Sequence, residues 1–345
     1  GYLPGTIWIV IGVVLAGAVQ DFIILIGSMR RDGKSLGQMA KEEIGPFTGL
    51  AAMVAILAIM IILLAVLALV VVNALRGSPW GLFTIACTIP IAFLMGFWMR
   101  AWRPGRTGEA SVMGVVLLVV ALVGGQQVAA SPALAPLFTL APVTIAIALV
   151  LYGFIASVLP VWMLLAPRDY LSTFMKIGTI VLLAVTILIE MPPLRLPPLT
   201  RFIDGTGPVF AGKLFPFAFI TIACGAISGF HALVASGTTP KMVRQEGDAR
   251  LIGYGGMLME SFVAVMAMCA AAVLDPGIYF AINVPLARLG GTAQAAADTI
   301  RGWGFLVTPE AIDQLARSVG ETTLLGRTGG APSLAVGMAT LFSGA

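Results

Sequence analysis

The sequence predicts an all-α polytopic membrane protein, and three observations carry that reading. Of its 345 residues, 59% are hydrophobic and only 10% are charged, with a mean hydropathy of +1.01; soluble domains carry about 25% charged residues. Met53 to Val72 is an unbroken run of Met, Val, Ala, Ile and Leu, long enough at ~1.5 Å per residue to cross a hydrocarbon core ~30 Å thick. Phe215 to Lys241 begins as an apolar helix and thins into glycines and hydroxyl residues before Thr238-Thr239-Pro240-Lys241.

That last segment is expected to be a broken helix. Gly225, Gly229 and Gly237 let the backbone leave helical geometry, and Ser228, Ser236, Thr238 and Thr239 place hydroxyls nearby. Within a bilayer, freed backbone groups are tolerated only where they line protein or a watery cavity. Secondary transporters build their mid-membrane sites from such interruptions. The chain's one histidine, His231, lies inside this segment.

In chain order, spans are expected at about 6–28, 47–72, 80–99, 111–129, 139–165, 172–191, 215–237 and 253–274, with a ninth starting near Ser333. Pro142 and Pro160 predict a kink or a late start in the fifth. Basic residues gather in alternate connections: Arg30, Arg31, Lys34 and Lys41; Arg100, Arg103 and Arg106; Arg168 in 166–171; and Lys241, Arg244 and Arg250. The positive-inside rule places those four connections in the cytoplasm. Paired prolines at 192–193 and 197–198 make 192–214 a stiff extended connection. The segment 275–332 is expected to carry short helices, one starting at Thr308-Pro309-Glu310, as a gate or as an extracytoplasmic subdomain. The whole is read as one transmembrane domain, 1–345. With Gly1-Tyr2-Leu3-Pro4 at its start and an apolar run at its end, it is expected to be part of a longer chain, with the first span an internal helix.

The formal charge of +4 is spread between spans rather than gathered in an aromatic-interleaved patch, which argues for topology and against nucleic acid. Cys87, Cys224 and Cys269 have no metal-ligand spacing and are expected to be buried free thiols, so neither metal nor cofactor is called for. Enzyme motifs fare poorly. Gly225-Ala226-Ile227-Ser228-Gly229 lacks the G-x-S-x-G spacing of a serine nucleophile, and neither H-E-x-x-H nor a phosphate loop occurs.

Ionisable groups inside spans cost roughly 2.5–3.5 kcal/mol on insertion scales, so each needs a reason. Asp21 sits deep in the first span with Gly17 one turn back, and reads as a cation or proton carboxylate or as a structural partner of Arg30. Glu260 lies in the eighth span on a small-residue face with Gly256 and Ala264, as a titrating group or a core carboxyl. His231, one turn from Ser228, reads as a proton acceptor, a substrate ligand or a packing residue. Glu190 fits the interface, and Gln126-Gln127 a polar path or a solvated span end.

Several long blocks resemble the carbon starvation protein (CstA) family. They are Gly1-Tyr2-Leu3-Pro4-Gly5-Thr6-Ile7-Trp8, the stretch Gly12 to Phe22 ending Gln20-Asp21-Phe22, and Arg30-Arg31-Asp32-Gly33. Ile222 to His231, Ser236 to Lys241, and Ile252 to Glu260 continue the likeness. The resemblance implies a multi-pass inner-membrane transporter of peptides or pyruvate, drawn on in carbon-poor conditions. It also implies a LeuT-like bundle of inverted repeats working by alternating access. Family members are about twice as long, and their leading segment carries another glycine-rich broken helix.

Together these readings predict a proton-coupled secondary importer for small carboxylate-bearing nutrients, peptides or pyruvate, with sodium as the alternative coupling ion. Ser228, Gly229, His231, Thr238 and Thr239 are expected to hold the substrate carboxylate, and Asp21 and Glu260 to carry the coupling ion. The alternatives are a membrane nutrient sensor that keeps such a site, and an intramembrane hydrolase using Ser228.

Overall fold

The computed structural model describes residues 1–344, and among them the regular elements are all helical. In chain order they are α1 (Leu3–Met29), α2 (Leu36–Glu43), α3 (Pro46–Leu75), α4 (Pro79–Trp102), α5 (Thr107–Ala130), α6 (Pro142–Val158) and α7 (Leu165–Glu190). After α7 come α8 (Leu214–Thr221), α9 (Gly229–Ala235), α10 (Glu246–Ala272), α11 (Pro276–Asn283), α12 (Leu286–Leu289), α13 (Ala293–Gly302), α14 (Pro309–Ser318) and α15 (Ala331–Gly344). Six of them, α1, α3, α4, α5, α7 and α10, are long and apolar enough to cross a membrane. The protein is therefore an all-helical, multi-pass membrane protein.

Local chemistry explains the helix starts. Pro46, Pro79 and Pro142 sit at first-turn positions, where a missing N–H costs nothing. Ser35 and Gln38 form a reciprocal capping box on α2. Thr292 and Thr308 accept from the N–H groups of Ala295 and Ala311, so the start expected at Thr308-Pro309-Glu310 is where α14 begins. α3 is apolar on every side, as suits a helix whose surroundings are hydrocarbon.

Two expectations need correction, on the fifth span and on the cysteines. The fifth span ends at Val158, and α7 already runs from Leu165, so Arg168 lies in a helical first turn and not in a loop. Pro167 is the reason: at the third helical position it lacks only an N–H that would be unpaired anyway. The segment 215–237, expected to be a broken helix, forms two short ones, α8 and α9, separated by non-helical backbone over 222–228. The cysteines are free, but Cys87 and Cys269 are only half-buried and Cys224 is exposed.

The connections gather at two rims. At one, Arg30 pairs with Glu246, Lys34 with Glu42, and the Gly237 N–H donates to Ser28 Oγ, bringing together the segments 29–46 and 236–250. At the other, the N–H of Tyr2 donates to Pro197 O, and Arg195 pairs with Asp275 at 3.0 Å. There α11 to α14 enclose a core of Phe280, Ile282, Val284, Leu289, Ile300 and Ile312.

Candidate functional site

The site forms where α1 and α10 pass the interruption between α8 and α9. Both long helices are locally unwound beside it. α1 has a π segment over Val13–Gly17, just before Gln20 and Asp21, and α10 has one over Arg250–Gly255, just before Glu260. Such bulges re-aim the side chains that follow and recur at functional sites. Two glycines allow the approach. A Cβ on Gly17 would strike the Ala226 carbonyl, and one on Gly253 would lie 2.8 Å from Phe22 Cα.

In the gap, the backbone from Ile222 to Ser228 keeps only a single turn, closed by the Ile227 N–H donating to Ala223 O at 2.7 Å, and the carbonyls of Ile222 and Ser228 find side-chain partners. Trp8 Nε1 donates to Ile222 O at 2.7 Å and Gln20 Nε2 to Ser228 O at 2.9 Å. This is how polar backbone survives at membrane depth. α9 then restarts at Gly229 and presents His231 in its first turn.

His231 bridges two carboxylates. Its Nδ1 lies 2.7 Å from Asp21 Oδ2 and its Nε2 2.6 Å from Glu260 Oε2. Cys224 Sγ donates to the other Glu260 oxygen at 2.8 Å and stands 3.7 Å from Ser228 Oγ. Asp21 is 4% exposed, and its Oδ1 is buried with no hydrogen-bond partner among the described residues.

That chain constrains the proton count. An ionised carboxylate only accepts, so two ionised carboxylates require both ring nitrogens to donate, as imidazolium. Moving one N–H proton onto its carboxyl preserves both bonds and the net charge of the three groups. A further proton needs a carboxyl oxygen outside the bridge, and Asp21 Oδ1 is such an oxygen. The arrangement can therefore take up and give back a proton without unfolding its hydrogen bonds.

The structure brings Asp21, His231 and Glu260 together, with Ser228 and Gly229 beside them, although the two carboxylates belong to spans far apart in the chain. Arg30, the alternative partner for Asp21, instead pairs with Glu246. Thr238 and Thr239 lie beyond the far end of α9, in the turn that packs near Ser28 and Ser35, and are not joined to the bridge. Sequence reasoning missed the roles of Gln20 and Cys224. A glutamine inside an apolar span is a signal for the first; the Cys224 contact with Glu260 leaves no trace in local spacing.

The model of the family described as "Carbon starvation protein CstA" matches residues 1–345. The chain is 60% identical to "Peptide transporter CstA" of Escherichia coli strain K12 over 350 residues, covering 100% of this chain and 50% of that protein. It is 59% identical to the protein of the same name from Campylobacter jejuni, covering 99% of this chain and 49% of the relative. Against "Pyruvate/proton symporter BtsT" of Escherichia coli strain K12 the identity is 55%, over 99% of this chain and 51% of the relative. The chain thus spans about half the length of these relatives. No solved structure matches it. With a match that runs from first residue to last and takes in Gln20-Asp21, His231 and Glu260, the chain belongs to the carbon starvation protein CstA family.

Proposed function

We propose that the protein is a secondary transporter that imports peptides or pyruvate across the cytoplasmic (inner) membrane, coupled to protons. The observation that carries this is the bridge Asp21–His231–Glu260, set at a helix interruption between two locally unwound helices. In this reading Asp21 and Glu260 hold the coupling proton. Ser228, Gly229 and His231 meet the substrate carboxylate, with Thr238 and Thr239 along its path toward the far rim. A proton added to the bridge lowers its negative charge and lets a carboxylate approach the imidazole, which couples the two by electrostatics.

The names of the relatives support the substrate classes, and the symporter's name supports protons over sodium. The two unwound helices around the gap accord with a LeuT-like, alternating-access arrangement. A hydrolase reading fits less well. Both His231 nitrogens face carboxylates, which leaves Ser228 without a base at the ~2.6–3.2 Å a nucleophile needs.

The test is uptake of labelled pyruvate and of a labelled dipeptide into proteoliposomes holding the intact protein, with proton and sodium gradients imposed separately. Uptake of either substrate under the proton gradient, lost in Asp21→Asn and Glu260→Gln, is expected. Substrate binding without uptake or counterflow would replace the transporter with a membrane nutrient sensor.

A further inference from the structure

Arg168, in the first turn of α7, faces a cavity of about 370 Å³ between α4, α5, α6 and α7. Its guanidinium stacks 4.6 Å over the Tyr152 ring, donates to the Tyr152 hydroxyl, and donates from Nε to Thr88 Oγ1 at 3.3 Å. These partners orient the fork but bring no negative charge. Among the described residues no carboxylate lies within ion-pair distance of it. Asp169 also borders the cavity, but its side chain is 81% exposed and pairs with Lys176 at 3.8 Å.

An uncompensated guanidinium held against apolar walls calls for an anion. Ser172 lies on the same wall with its hydroxyl donating to the Asp169 carbonyl at 2.8 Å, while Ile85, Leu118 and Met175 make the rest of it hydrocarbon. The ligand therefore has one anionic group and an apolar body. Length agrees: the 26 residues of α7 extend ~39 Å at ~1.5 Å each, beyond a ~30 Å hydrocarbon core, so a helix centred on that core carries its first turn to headgroup level.

We propose that this cavity seats an anionic phospholipid, its phosphodiester on Arg168 and its acyl chain along Ile85, Leu118 and Met175. Free phosphate would satisfy the guanidinium but gain nothing from the apolar wall.

The experiment is native mass spectrometry of the intact, delipidated protein titrated with phosphatidylglycerol, with phosphatidylcholine and with inorganic phosphate. One phosphatidylglycerol should bind more tightly than phosphatidylcholine, by roughly fivefold for a single cation at a membrane surface. Arg168→Ala should abolish that preference and Arg168→Lys retain part of it. Leu118→Trp, which fills the wall and keeps the charge, should weaken both lipids and serves if Arg168→Ala does not fold. An unchanged preference in Arg168→Ala, or undiminished binding of both lipids by Leu118→Trp when Arg168→Ala is lost, overturns the site. Displacement of the lipid by millimolar inorganic phosphate would show that a free anion is the ligand.

Discussion

Gln20 Nε2 donates a 2.9 Å hydrogen bond to the backbone carbonyl of Ser228, tying α1 to the last non-helical residue before α9. Ser228 is buried, so this carbonyl has no solvent to turn to. Because Asp21 follows Gln20 directly, the same turn of α1 holds both the gap and His231. Gln20→Ala should cost about 1–3 kcal/mol, the range for a buried acceptor left unpaired. Gln20→Glu, which replaces the donor with an acceptor, should cost more at neutral pH. Thermal-shift midpoints of the purified variants check this; equal midpoints for wild type and both variants would dismiss the tie.

His231→Gln should abolish proton-driven uptake. A glutamine side chain donates from one end only, so at least one of Asp21 and Glu260 loses its partner while the other stays close. Hydrogen bonds to charged groups are worth about 1.5–3 kcal/mol, which is roughly 10–100-fold in an equilibrium constant. Adding Glu260→Gln to His231→Gln should recover folding, by removing the stranded charge, but not proton-driven uptake. Expression yield and gradient-driven uptake separate the two, and coupling that survives His231→Gln would take the imidazole out of the proton path.

Much of this is legible in the sequence for physical reasons. Long apolar runs such as Met53 to Val72 have no other use, and a threonine-proline-glutamate start specifies α14 locally. The thinning after Phe215 marks the gap, because glycine and hydroxyl residues are expensive in hydrocarbon unless they line something. The bridge itself is not legible. Asp21 and Glu260 each stand out by their burial cost, but their meeting on opposite nitrogens of His231 depends on how α1 and α10 cross. That crossing is decided by long-range contacts at Gly17 and Gly253. Arg168 is misplaced by sequence reasoning because a charge after a proline reads as a loop, whereas Pro167 in a first turn keeps the helix intact.

Cys224 should report on the state of Glu260. Its thiol donates to Glu260 Oε1 at 2.8 Å, and the residue is exposed enough for a reagent to reach. Cys224→Ser retains a donor and should keep uptake within about twofold of wild type. Cys224→Ala removes it and should slow uptake by about tenfold, as loss of one bond to a charged group predicts. Saturating substrate should slow maleimide labelling of Cys224 in membranes. Equal uptake in the serine and alanine variants would reduce the contact to packing.

The glycine contacts should be intolerant of volume. Gly17→Val and Gly253→Val place carbon against the Ala226 carbonyl and the Phe22 backbone, neither of which is a flexible side-chain end. Overpacking costs typically 1–3 kcal/mol, and here it would also separate α1 from α10 and so lengthen the bridge. Gly256, where an added Cβ would meet nothing within 4 Å, is the control, and Gly256→Ala should behave as wild type. Detergent-solubilised folding and substrate binding are the readouts; a stable, binding-competent Gly253→Val would mean that the α1–α10 crossing does not depend on contact there.

The connection that leads from the layer of α11 to α14 into α15 is closed by a buried ion pair. Arg327 Nη2 lies 2.7 Å from Glu321 Oε2, with side chains 5% and 17% exposed. Removing one partner of such a pair leaves an uncompensated charge and typically costs 3–5 kcal/mol, whereas replacing both with apolar groups of similar volume is often neutral. Glu321→Gln should therefore loosen this layer, seen as faster hydrogen exchange over residues 286–325. The double variant Glu321→Leu, Arg327→Met should restore protection close to wild type. If the single variant exchanged no faster than wild type, the pair would hold nothing together; if the double variant exchanged as fast as the single, the layer would need the charges themselves, as it would were Arg327 also facing a ligand in the cavity bordered by Gln126 and Trp80.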